Sequence, residues 1–218
     1  MSDTSSKNTI YSEIRRTIIM GHRKPGDRFN VEELADHYQT SITPIRDALQ
    51  MLGQEGLVTI KPRSGYFVTR ITLKELRDMF DLRNILELAA IERTVERITP
   101  ERLEELKMIH AGYTGDDEES YDRYTEENRR FHYLLAAASG NHELARTLGH
   151  LLDRLARFMV LRHAGMTMPE THARILEALQ ERDIDESRRV LFDDIKDTFD
   201  TSLERIMETE ADAWHLEM

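Results

Sequence analysis

Strand-forming sequence occurs in one place in this chain, and the rest follows a helical period. The runs Leu57–Ile60 and Tyr66–Thr69 are β-rich, and Lys61-Pro62-Arg63-Ser64-Gly65 between them reads as a turn carrying two cations and a flexible glycine. Ahead of the hairpin, Ile10, Ile14, Ile18 and Ile19 recur at helical spacing, which predicts an amphipathic helix over roughly 9–20. Gly21 ends it, and Lys24-Pro25-Gly26-Asp27 is a strong turn signal. A second short helix is expected from Val31 to Tyr38, with Leu34 and Ala35 facing inward. Thr43-Pro44 reads as an N-cap followed by proline in the first helical position, opening a third helix that stops at Gly53 or Gly56.

Beyond Thr72 no further strand pattern appears, and cap signals mark six helical segments. Thr72 with Glu75 opens one that runs to Ile98, and Thr99-Pro100 opens a second that ends near Gly112 or Gly115. Asp116-Asp117-Glu118-Glu119 begins a third that reaches Ser139-Gly140, and Asn141 begins a fourth that runs to about His163. Thr167 with Glu170 and Asp183 with Glu186 open the last two. The expected fold is therefore mainly α: three helices plus a β-hairpin in residues 1–70, then an all-α antiparallel helical bundle in residues 71–218.

Composition narrows the chemistry. The chain has no cysteine, which removes disulfides, thiolate catalysis and cysteine-based zinc sites. No apolar run approaches the roughly 18 residues of a membrane span, and Met1–Asn8 is polar, so a cytoplasmic location without membrane contact is expected. The net charge of −11 is uneven: residues 1–70 hold ten Lys and Arg against eight Asp and Glu, and the acidic excess lies wholly in the remainder. A weakly basic head on an acidic body suits a DNA reader with a separate effector domain.

Three helices and a hairpin in about 60 residues is the winged helix-turn-helix layout, in which the third helix enters the major groove and the hairpin tip touches backbone or minor groove. The residues follow a recurring wording: Ile14-Arg15, Ile19, Gly21, Pro25-Gly26, Leu34-Ala35, Ser41, Thr43-Pro44-Ile45-Arg46, Ala48-Leu49, Leu52, Glu55-Gly56-Leu57-Val58, Gly65 and Val68. In that wording the N-terminal module resembles the GntR family of bacterial regulators. Arg46, on the first turn of the recognition helix, suits guanine O6 and N7. Ser41 and Thr43 suit phosphate, and Pro44 opens a helix whose first N–H groups can donate to one. Lys61 and Arg63 suit backbone contacts at the wing, and Gly65 permits its close approach. Two positions depart from the pattern. Ile42 stands where the family usually has Arg, and Val31-Glu32-Glu33 stands where some members carry a cation. Both changes predict an altered operator preference or weaker binding on an unchanged fold.

The helical remainder resembles the FCD domain of the FadR-like branch, in its six-helix, VanR-like form. The resemblance rests on Asp81-Leu82-Arg83, Leu86-Glu87, Asn128, Phe131-His132, Ser139-Gly140-Asn141, His172, Ile175, Ala178-Leu179 and Asp183. Many FCD domains hold a divalent metal with an Asp and a His four apart on one helix plus two further His. Carried over, the set here is Asn128, His132, His172 and Asp194: the usual Asp has become Asn, and one usual His has become Asp. Two imidazoles, a carboxylate and an amide oxygen suit Zn²⁺, Ni²⁺ or Mn²⁺, with Asn the weakest ligand. The bland alternative makes His132, beside Phe131 and Leu134, a satisfied core histidine, and His172 a surface residue near a helix start. Arg83 lies where the family often turns an Arg toward the cavity, which implies an anchor for an organic carboxylate. Its bland alternative is an i,i+4 pair with Glu87. Leu151, Leu152, Leu155, Phe158 and Met159 read as core or dimer surface.

These features together imply a ligand-responsive transcriptional regulator. A homodimer would bind a near-palindromic double-stranded operator, and family habit favours a repressor released by a small carboxylate. Two other readings compete: a winged helix used for protein contacts, which the acidic balance and Ile42 favour, and a metal-dependent hydrolase on the same His/Asp cluster. Against the latter stand the lack of HExxH and of any glycine-rich phosphate loop, so no enzymatic activity is expected.

Overall fold

The structure, a computed structural model, describes residues 3–110, 118–160 and 168–209. They divide after Thr72 into two compact units. In the first, α1 (Asp3–Ile19), α2 (Val31–His37) and α3 (Ile42–Gln54) carry a three-stranded sheet of β1 (Arg28–Phe29), β2 (Val58–Lys61) and β3 (Gly65–Val68). The strand order is β1-β3-β2 with both pairings antiparallel, and Phe67 of β3 stands between Thr59 and Arg28. Ile10, Ile14 and Ile18 form one stripe on α1, and Ile45, Leu49 and Leu52 form the facing stripe on α3. The inner residues of the hairpin, Val58 and Val68, close the same core.

Three details differ from the sequence reading. Helix α1 begins at Asp3 rather than near residue 9, because extending an existing helix costs far less than nucleating one. Strand β1 was not foreseen: two residues after a Pro-Gly-Asp turn carry no period, and only the register with Tyr66 and Phe67 makes them a strand. The cap of α3 is Ser41 rather than Thr43, which puts Pro44 in the third helical position. That position still lies in the first turn, where a missing N–H breaks no intrahelical bond. Helix α3 ends before Gly56, whose φ of 77° is the left-handed stop that a glycine supplies.

The second unit has six α-helices among the described residues: α4 (Leu73–Arg97), α5 (Pro100–Lys107), α6 (Glu118–Ala137), α7 (His142–Val160), α8 (Met168–Glu181) and α9 (Ile184–Thr209). A 3₁₀ turn, Met108–His110, follows α5. The caps act as their residue types suggest. Thr99 accepts from Arg102 N with Pro100 beside it, Asn141 from Leu144 N and Asp183 from Glu186 N. The expected termini at Gly112, Gly115, Asp116, His163 and Thr167 lie outside the described residues, as does the side chain of Met159.

Neighbouring long helices run antiparallel. Phe80 packs on Phe199 while Glu92 pairs with Arg188, which aligns α4 against α9. Arg129 pairs with Asp153 while Tyr133 lies against Gly149, which aligns α6 against α7. Between them Ile91, Phe131, Leu148, Leu152, Leu155, Phe158, Leu179, Leu191 and Ile195 are fully buried, so the leucine stripe of α7 is core. No helix among the described residues is long and apolar enough to cross a membrane.

Candidate functional site

The winged unit presents a row of polar residues on α3 and the wing. Ser41, Thr43 and Arg46 are exposed on the first turns of α3, and Lys61 and Arg63 are exposed at the hairpin tip. Arg63 has φ 62°, a left-handed conformation that a long side chain rarely adopts, and Gly65 has φ 111°. Lys61 lies 5.1 Å over the Phe67 ring, which steadies the wing without neutralising the ammonium. Pro44 is different: it is buried, so of the residues picked out by the motif it packs the core instead of facing outward. Ile42, at the family's Arg position, is 37% exposed.

The interior of the helical unit holds a cluster of charged side chains from four helices. Arg83 and Glu87 come from α4, Asn128 and His132 from α6, His172 from α8 and Asp194 from α9; all six are buried, Arg83 and both histidines completely. Arg83 Nε donates to Glu87 Oε1 at 2.6 Å, and Glu87 Oε2 lies 2.6 Å from His132 Nδ1. His132 Nε2 lies 3.0 Å from Arg83 Nη2 and 3.4 Å from Asp194 Oδ2, while His172 Nε2 lies 4.0 Å from Asp194 Oδ1. Phe131 stacks on the His172 ring at 3.8 Å and 8° and fixes its plane.

Electrostatics follow from this arrangement. Burial alone would raise Glu87, but His132 and Arg83 outweigh it and hold its carboxyl below the ordinary value. Burial likewise opposes charge on His132, yet Glu87 and Asp194 draw its pKa upward. Asp194 is held well below the usual carboxylate range by His132, His172 and Arg83, against the effect of burial. When the His132 ring is neutral, its proton belongs on Nδ1 facing Glu87, because a guanidinium never accepts; the lone pair on Nε2 then faces Arg83 and Asp194. Arg83 Nη1, a donor, and Asp194 Oδ2, an acceptor, are among the buried atoms that make no hydrogen bond to a described residue.

The donor set fits a divalent cation. Ligand atoms of His132, His172 and Asp194 lie within 4.8 Å of one another. Tetrahedral zinc with bonds near 2.1 Å spaces its ligands about 3.4 Å apart, so little closure is required. Asn128 is buried one helical turn before His132, and Glu87 on His132 Nδ1 is the outer carboxylate that commonly orients a metal-binding histidine. Of the sequence-derived residues, the fold thus gathers Arg83, His132, His172 and Asp194 into one place and buries Asn128 one helical turn before His132. On sequence Glu87 stands in the FCD pattern and as the i,i+4 partner of Arg83, but not among the candidate site residues. Its i,i+4 spacing was visible, but nothing in the sequence marked that pair as lying inside.

A winged helix-turn-helix with outward cations, joined in one chain to a helical unit with a buried cluster of charged side chains, defines a DNA-binding transcriptional regulator with an effector domain. Residues 6–68 match the model of bacterial regulatory proteins of the GntR family, and residues 78–197 match the FCD domain. The chain is 31% identical to the HTH-type transcriptional regulator YdhC of Bacillus subtilis over 185 residues, 79% of this chain and 80% of that one. It is 26% identical to the HTH-type transcriptional repressor RspR of Escherichia coli over 187 residues, 84% and 82% of the two chains. Among solved structures the fold is similar to that of E. coli McbR/YncC, with a TM-score of 0.74 at 21% identity, covering 92% of this chain and 98% of that one. The chain belongs to the GntR family of bacterial regulatory proteins, in the branch that carries an FCD domain.

Proposed function

We propose that this regulator is a cytoplasmic repressor whose winged unit, residues 1–70, binds a near-palindromic operator as part of a homodimer. Its helical unit, residues 71–218, binds a small organic acid together with Zn²⁺, Ni²⁺ or Mn²⁺, and the acid releases the DNA. The observation that carries this reading is the buried cluster of Arg83, Glu87, His132, His172 and Asp194 inside the helical unit. Buried charges are costly for stability and concentrate at functional sites. The likeness to RspR, a named repressor, supports the direction of control.

On the DNA side, Arg46 reads a base edge, Ser41 and Thr43 fix register on phosphate, and Lys61 and Arg63 hold the wing to the backbone. Gly65 lets that wing approach, and Pro44, in the first turn of the recognition helix, anchors that turn in the core. On the effector side, His132, His172 and Asp194 hold the metal, with the Asn128 amide oxygen as a fourth ligand. A divalent metal supplies positive charge and an open position for a carboxylate oxygen. Glu87 keeps the His132 proton on Nδ1 and thereby presents Nε2. Arg83 Nη1 donates to the acid's second oxygen, which supplies the acceptor it otherwise lacks. With His132 neutral, Glu87 balances Arg83 and Asp194 leaves one negative charge; a divalent cation and one carboxylate together neutralise it.

Leu82 and Ile85 on α4 and Phe192 on α9 leave apolar surface exposed on adjacent helices, which supports a second copy packing there. Family membership favours binding over catalysis at the cluster. The test is thermal unfolding of EDTA-stripped protein with and without each metal, in wild type and in His132→Ala. A metal at about a hundredfold over its Kd stabilises the folded state by roughly 2.7 kcal/mol. Wild type should show that shift and the variant should lose it; equal behaviour of the two would remove the metal from the account.

A further inference from the structure

Three guanidinium groups from three separate elements line one open notch of about 400 Å³ in the winged unit. Arg28 comes from β1, Arg46 from α3 and Arg63 from the turn of the wing; Asn30 and Ser64 add polar walls, and Glu32 is the one carboxylate there. Arg28, Arg46 and Arg63 are all exposed, and none forms an ion pair with a described residue. Their convergence follows from the sheet. Arg28 stands opposite Phe67 on β3, and a Cβ built at Gly65 would sit 3.5 Å from Arg28 Nε, so the guanidinium lies across the base of the wing. The left-handed backbone at Arg63 turns the second cation back over the same edge. The side chain of Asn30 is occupied at the start of α2, with Oδ1 accepting from Glu32 N and Glu33 N and Nδ2 donating to Glu33 Oε1, so the side-chain donors open to a ligand are the guanidinium groups and the Ser64 hydroxyl.

We infer that this notch seats one phosphate of the DNA backbone between the recognition helix and the wing, held by Arg28 and Arg63 beside the base-reading Arg46, and that Arg28 is the cation that completes it. Arg28 belongs to neither element of the DNA-reading motif, and no reading of the helix-turn-helix alone selects it. A single exposed arginine is ordinary. Three without carboxylate partners, converging from a strand, a helix and a turn, repel one another unless an anion sits among them. Phosphate oxygens match the fork of a guanidinium, and the site lies where the groove wall must pass if α3 enters the major groove and the wing the flank. The inference rests on the DNA-binding reading proposed above and adds to it a contact that carries affinity without sequence information.

The experiment is fluorescence anisotropy on the full chain with two duplexes, one of mixed sequence and one selected from a random library. Salt is varied for wild type, Arg28→Gln and Arg28→Lys. Losing one phosphate contact should lower the slope of log K against log salt by about 0.9. Arg28→Gln should therefore bind both duplexes roughly eightfold more weakly at 0.1 M salt, with the loss vanishing toward 1 M. Arg28→Lys should keep most of the slope, and the melting temperature of all three proteins should agree. An unchanged slope in Arg28→Gln overturns the inference. So does a loss confined to the selected duplex, which would make Arg28 a base reader. If wild type binds neither duplex, the DNA-binding reading itself fails and takes the notch with it.

Discussion

The two units of this chain treat positive charge in opposite ways. In the winged unit Arg28, Arg46, Lys61 and Arg63 are exposed and form no ion pair with a described residue. In the helical unit surface cations sit one turn from a carboxylate: Arg102 with Glu105, Lys107 with Glu104, Arg146 with Glu143, Arg189 with Glu186 and Asp193, and Lys196 with Asp200. The helical unit's most consequential cation, Arg83, is inside, bound to Glu87 and His132. Unpaired surface charge is available to a polyanion, whereas paired surface charge only solvates a helix. A buried and partly satisfied cluster has no surface to offer a polyanion, and the effector proposed for it is small. The net charge of −11 therefore says little about DNA binding, because the acidic residues that produce it lie in the helical unit, many of them beside cations of their own.

The sharpest way to break this contrast is to remove one partner from each setting. Glu87→Ala leaves the Arg83 guanidinium buried without its carboxylate and should cost about 3–5 kcal/mol in urea unfolding. A loss no larger than that of an exposed pair would mean that the interior cluster is wet and weakly coupled. Arg46→Ala should leave the urea midpoint unchanged while weakening a selected operator by about 1–3 kcal/mol, and it should relax the preference at one base pair. A folded variant with wild-type operator affinity would move base reading elsewhere on α3. The smallest effect belongs to Lys196→Ala. Its pair with Asp200 is exposed at both ends, so neither unfolding nor DNA binding should shift measurably.

What the sequence made legible also differs between the units. In the winged unit the proposed DNA contacts are close in the chain and ordered by one motif, so Ser41, Thr43, Arg46, Lys61, Arg63 and Gly65 are candidates on sequence alone. Arg28 escaped because its role depends on β1 pairing with β3, and a two-residue strand leaves no period to read. In the helical unit cap residues gave the helices, and Thr99, Asn141 and Asp183 all cap as their types demand. The site was harder. His132, His172 and Asp194 come from three helices, and no spacing rule joins them; the family resemblance did, and the fold brings them within reach. Glu87 was missed because Arg83 and Glu87 four apart look the same on a wet helix face as on a buried one. Only packing tells those two cases apart.

On the function proposed above, the interior cluster of the helical unit controls what the winged unit holds. The most direct measurement is the affinity of EDTA-stripped protein for a library-selected duplex, read by anisotropy. Each of Zn²⁺, Ni²⁺ and Mn²⁺ would be added with a panel of small organic acids, in wild type and in His132→Ala. The account predicts that at least one pairing of metal and acid weakens wild-type binding by about tenfold or more and leaves the variant unaffected. Wild-type affinity that no pairing alters, or a loss that His132→Ala shares in full, would contradict it.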